Sequence, residues 1–150
     1  MKKTLACILL LVASAATADG VEFNAKDGWI RSAPPGAGAM AGYVTLGNAA
    51  KQPLKIVEAS SAAFEAIVFH ESYEEDGISR MRAMRSLTIP ADGSLPLAPG
   101  GVHLMLLRPT RELAEGTTVI VDLVTEEGDP LPVVMKVRKG DDSSADHSNH

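Results

Sequence analysis

A chain of 150 residues with a formal charge of −5 has room for one domain with a modest core, and its acidic balance argues against nucleic acid as a partner. Its single cysteine is Cys7. The chain beyond it can therefore build no disulfide, no thiolate zinc site and no His2Cys site of a blue-copper electron carrier.

The first residues read as an export signal. Lys2 and Lys3 precede an apolar stretch from Leu5 to Val12, and Ala16-Thr17-Ala18 is a small-residue cleavage site. Cleavage before Asp19 is expected, leaving an exported protein with a formal charge of −7, since two lysines and no acid are lost. The apolar stretch is too short to span a bilayer. Cys7 sits inside it, ahead of the small-residue site, a poor position for lipidation, so no stable membrane anchor is expected. The expected organisation is a signal peptide at 1–18, one domain at 19–139 and a disordered, acidic, His-containing tail at 140–150.

Between those ends, short β-rich runs recur at Gly28–Arg31, Ala41–Leu46, Leu54–Ala59, Ile67–Ser72, Ile78–Arg85, Val102–Arg108, Thr117–Val124 and Leu131–Arg138. Pro34-Pro35-Gly36, Gly47-Asn48, Asp76-Gly77, Asp92-Gly93, Pro99-Gly100-Gly101 and Gly128-Asp129-Pro130 punctuate them as turns. The pattern predicts an all-β sandwich or barrel. Ser60 to Ala66 and Arg111 to Ala114 could each form one helical turn.

Asp76-Gly77 favours the positive φ angles of a two-residue hairpin loop. With those two residues at the tip, Ser72 pairs with Met81 and His70 with Ala83, leaving His70 and Met81 diagonal neighbours on one face. A loop centred one residue earlier would oppose them directly. In Val102-His103-Leu104-Met105-Leu106 the alternation sends the aliphatic residues inward and puts His103 and Met105 on the other face. Two imidazoles and two thioethers are neutral donors, and soft sulfur favours Cu(I) over harder ions. Taken singly, each residue has an ordinary explanation, because methionine packs cores and histidine hydrogen-bonds without metal. Met40, Met84 and Met135 are expected to be core residues.

The spacing His70, ten residues, Met81, twenty-one residues, His103, one residue, Met105 matches the His-x10-Met-x21-His-x-Met motif of the PCuAC family of periplasmic copper chaperones. Trp29-Ile30-Arg31, Pro34-Pro35-Gly36, Gly42-Tyr43 and the run from Gly100 to Leu106 also resemble that family, so the resemblance covers about residues 21 to 138. It implies a cupredoxin-like β-sandwich that is not an enzyme. His70, Met81, His103 and Met105 would hold one Cu(I) for delivery to the CuA or CuB centre of cytochrome c oxidase, alongside a Sco-type protein. A monomer is expected.

Some relatives bind Cu(II) at a His- and Met-rich C-terminal extension. His147 and His150, among Asp141, Asp142 and Asp146 but with no Met, match that pattern in part and are a candidate second site. A copper buffer without a dedicated acceptor and a structural β-sandwich are the competing readings. Tyr43, Met40 and the acidic segment from Glu71 to Asp76 flank the motif, and an acidic rim would favour a basic docking face on the partner.

Overall fold

The computed structural model describes residues 22–140. The expected signal peptide at 1–18 with Cys7, and His147 and His150 of the expected tail, lie outside the described residues.

Ten strands make up the fold: β1 (Phe23–Arg31), β2 (Ala39–Asn48), β3 (Leu54–Ser60), β4 (Phe64–Glu75), β5 (Ile78–Met84), β6 (Leu87–Ile89), β7 (Gly93–Leu97), β8 (Val102–Pro109), β9 (Thr118–Thr125) and β10 (Pro130–Arg138). Hydrogen bonds link them in the order β5-β4-β8-β2-β1-β10-β9-β3-β6, with β7 paired to β2 off that path. Every pairing is antiparallel except that of β1 with β10. The path curls on itself, so that Phe69, Leu104, Leu106 and Val44 from one half meet Ile56, Val121, Val133 and Met135 from the other in one core cluster.

Alternation in the sequence explains the strands. Along β10, Leu131, Val133, Met135 and Val137 are buried while the residues between them are exposed, the pattern of a strand with one face on a core. β8 departs from it: His103 and Leu104 are consecutive and both buried. The outer face of the sheet is thus covered at His103.

Three sequence expectations need correction. Ser60 to Ala66 holds no helical turn; a tight turn closes with the Phe64 amide donating to the Ser61 carbonyl at 3.3 Å, and β4 starts there. Arg111 to Ala114 is irregular rather than helical. Two strands, β6 and β7, lie where the sequence pattern predicts none. β6 has three residues, and β7 contains Gly93 and Pro96, which lower local strand preference but are tolerated where a strand borders only one neighbour. Among the described residues no helix is long and apolar enough to cross a membrane.

Candidate metal centre

The tip of the β4–β5 hairpin is built as its residues dictate. Asp76 and Gly77 take φ values of 53° and 72°, the left-handed pair of a type I′ turn. Glu75 therefore pairs with Ile78, Ser72 with Met81 and His70 with Ala83. On the other side of β4, the register with β8 sets His70 opposite His103 and Val68 opposite Met105. These residues share the outer face, while Ile67, Phe69, Leu104 and Leu106 point into the core.

His70 Nδ1 lies 3.1 Å from Met81 Sδ, and the His70 and His103 rings stand edge to face with centroids 5.9 Å apart. Metal bonds of about 2.0 Å to nitrogen and 2.3 Å to sulfur, meeting at a tetrahedral angle, separate the two donors by about 3.5 Å. An opening of a few tenths of an ångström would seat both on one ion. His103 Nδ1 donates to the Gly101 carbonyl at 3.0 Å. A carbonyl only accepts, so the proton is on Nδ1 and the Nε2 lone pair is left free, as in metal-binding histidines whose other ring nitrogen is held by a carbonyl. Met105 is half-buried two residues further along β8, between Val68 and Ala41 on the flanking strands.

Burial pushes the His70 pKa below the ordinary imidazole value, and the charge of the His103 ring pushes it further in the same direction. Both effects keep His70 neutral, the form that can donate a lone pair. Among the described residues no three of His, Cys, Asp or Glu gather in one place, so an ion on this face would depend on the thioethers.

Behind His103 the outer face continues as an aromatic row. Tyr43 lies 6.2 Å from the His103 ring and Trp29 4.7 Å from Tyr43, centroid to centroid. Tyr43 is buried although it belongs to no part of the core cluster, which is how His103 comes to be covered from outside. Trp29 in turn carries the guanidinium carbon of Arg138 at 4.2 Å and that of Arg31 at 5.9 Å. Sequence reasoning gave Trp29 and the two arginines no role in the site. The available signal was their alternation with the buried Ile30 and Val137.

Met40 and Met135 are in the core and Met84 packs against it, as expected. Met40 is thus no flank of the site. The acidic rim is also weaker than the sequence implied: Glu71 receives Arg82 Nε at 2.7 Å and Glu75 receives Arg80 Nε at 2.8 Å. A cleft of about 660 Å³ opens elsewhere, lined by Pro34, Met40, Arg108 and Leu113 and by none of the four motif residues. An ion held by long side chains on a sheet face needs no such cavity.

Residues 23–137 match a family model described as "Putative lipoprotein LpqE-like". A relative, "Putative lipoprotein Lxx21020" of Leifsonia xyli subsp. xyli, is 33% identical over 137 residues, covering 88% of this chain and 80% of its own. Among solved structures, CuI-DR1885 from Deinococcus radiodurans is 31% identical with a TM-score of 0.62, over 85% of this chain and 83% of its own. The copper-bound PCuAC domain of PmoF2 superposes with a TM-score of 0.66 at 20% identity, over 81% of this chain and 97% of its own; at that identity the likeness speaks to the fold. The fold is the cupredoxin-like β-sandwich of the PCuAC domains, and by the family match and the Leifsonia relative the chain belongs to the LpqE-like family.

Proposed function

We propose that this protein is a periplasmic copper carrier that holds Cu(I) through His70, Met81, His103 and Met105 and passes it on by ligand exchange. The observation that carries the reading is the convergence of His70 Nδ1 and Met81 Sδ at 3.1 Å, with His103 opposite and its Nε2 free. The likeness to CuI-DR1885 at 31% identity supports it.

Copper is cargo here, so the site must hold it and also give it up. An incoming soft donor from an acceptor can replace one thioether at a time, and the ion never has to enter water. Met81, 52% exposed on the outermost strand, is the ligand such a donor meets first. His103, 4% exposed, is the anchor. The acceptor we propose is the copper-bearing part of cytochrome c oxidase during its assembly, with a Sco-type protein as the companion. Residues 1–18 are the cleaved export signal, 19–139 the copper domain and 140–150 a tail in which His147 and His150 form a second, Cu(II) site. Carriage of this kind requires no catalysis.

Titration of the mature chain with Cu(I) against a chromogenic chelator tests the reading, with X-ray absorption of the loaded form. One equivalent bound with mixed sulfur and nitrogen scattering, the sulfur lost in Met81→Leu/Met105→Leu, is the expected result. Nitrogen and oxygen ligation alone would refute the four-residue site. Truncation after Lys139 tests the tail, which should carry the Cu(II) binding away with it.

A further inference from the structure

We propose that Arg31, Lys136 and Arg138, set around Trp29, form a docking surface for an acidic face of the polypeptide with which copper is exchanged; the proposal rests on the carrier function above. The parallel pairing of β1 with β10 places Trp29 beside Lys136 and Arg31 beside Arg138. Two guanidiniums are thereby held abreast on one face, both within cation–π range of the same indole.

Like charges in this position repel, and no acid among the described residues offsets them. The ion pairs found there involve Lys51, Lys55, Arg80, Arg82, Arg108 and Lys139 and none of these three. Arg31 Nε is buried with no acceptor among the described residues. A carboxylate arriving from outside would meet the exposed Arg138 guanidinium beside the indole, with Lys136 exposed next to it and the half-buried Arg31 adding its charge from behind, and an exposed guanidinium can bind carboxylate through two parallel bonds.

The position of the patch relates it to the candidate copper ligands. Trp29 leans on Tyr43 and Tyr43 lies against the His103 ring, so the cations and the ligands belong to one continuous face. Tryptophan and arginine are also the residue types that dominate binding energy at interface centres. The whole chain has a formal charge of −5 and repels an acidic protein at long range, so a local cationic patch sets the orientation of approach more than its strength. The competing occupant is the chain's own Asp141 and Asp142, which follow Gly140; a Cβ added at Gly140 would lie 2.7 Å from Arg31 Cζ.

Trp29 is the only tryptophan, so its fluorescence reports on the patch directly. The mature apoprotein with its tail intact, residues 19–150, is titrated with poly-L-glutamate, with poly-L-lysine and inorganic phosphate in parallel. The expected result is a saturable emission change with poly-L-glutamate alone. It should weaken as salt rises, become on the order of tenfold weaker in Arg31→Gln/Arg138→Gln and persist in Met81→Leu. Lys136→Gln alters an exposed residue and keeps the fold even where the double variant does not; it should weaken binding severalfold. No response in this mature chain, an equal response to phosphate, or full binding in Lys136→Gln would overturn the proposal. So would a response that appears only after truncation at Gly140, which would assign the patch to the chain's own aspartates. Cu(I) titration of the same samples reads the carrier function separately, since none of the cationic residues is a candidate ligand.

Discussion

The β4–β5 hairpin and β8 each bring one histidine and one methionine to the outer face, yet they hold them differently. β8 lies between β4 and β2, with Leu104 and Leu106 fully buried beneath it and His103 nearly so. β5 has β4 alone beside it, its residues from Ile78 to Ala83 are exposed, and β4 beyond Glu71 runs past the end of its ladder with β8. Few buried contacts and exposed backbone pairing mark the low-stability end of a fold. If the four residues hold copper as proposed, β8 would be the fixed seat for the ion and the hairpin the side from which it is exchanged.

Removing the seat should have the largest effect. Loss of partners that merely orient a metal ligand typically costs 10- to 100-fold in affinity, so His103→Ala, which deletes a proposed ligand, should weaken Cu(I) binding by more than about a hundredfold. It should also lower the denaturant midpoint, since the buried ring and its bond to Gly101 are lost together. An unchanged affinity in chelator competition would remove His103 from the site.

The two thioethers then separate the halves. Met81→Leu should weaken Cu(I) binding while leaving stability within about 0.5 kcal/mol, as expected for an exposed position. Met105→Leu should also weaken binding, with a stability change below about 1.5 kcal/mol for a swap that conserves volume. The distinguishing measurement is the rate of copper transfer to a competing chelator. Met81→Leu should speed release more than Met105→Leu, and equal rates would erase the difference between the two sides.

A smaller effect should come from the hairpin tip, far from any ligand atom. Gly77 holds a φ of 72°, and a side chain in the left-handed region costs about 1 kcal/mol. Gly77→Ala should lower stability by about that much, and it should reduce copper affinity only as far as the turn sets the register of Met81 against Ser72. Hydrogen exchange confined to residues 72–81 would show that the hairpin yields independently of β8.

Much of this half of the molecule was legible in the chain. Asp76-Gly77 leaves two registers open, of which the structure adopts the one with Ser72 opposite Met81, and Val102-His103-Leu104-Met105-Leu106 encodes which side chains face out. The other half was not. β1 was expected from Gly28 and begins at Phe23, because the bulge between Lys26 and Trp29 breaks the alternation that marks a strand. β6 and β7 exist through their pairing with β3 and β2, and three residues or a proline-containing five carry too little pattern of their own. The parallel pairing of β1 with β10 joins residues more than a hundred positions apart. Alternation with Ile30 and Val137 could place Trp29, Arg31 and Arg138 on outward faces, but nothing local announces that the two strands pair, whereas the His/Met motif is written as spacing along strands.

The smallest expected effect concerns protons. The His70 pKa is depressed first by burial and second by the charge of His103. In the unfolded chain neither influence acts, so below the ordinary imidazole pKa, about 6.5, the unfolded state binds more protons than the folded one. His70 therefore contributes stability that is present above that value and is lost as pH falls through the lowered folded pKa. Copper should follow the same direction, holding to lower pH than an unperturbed imidazole would allow and dissociating as His70 is protonated. In His103→Gln the repulsion disappears and the burial does not, so the His70 titration followed by its ring proton shifts should move up but stop short of the ordinary value. A complete return would mean that His103 alone sets the depression, and no movement would mean that the two halves of the site do not sense each other's charge.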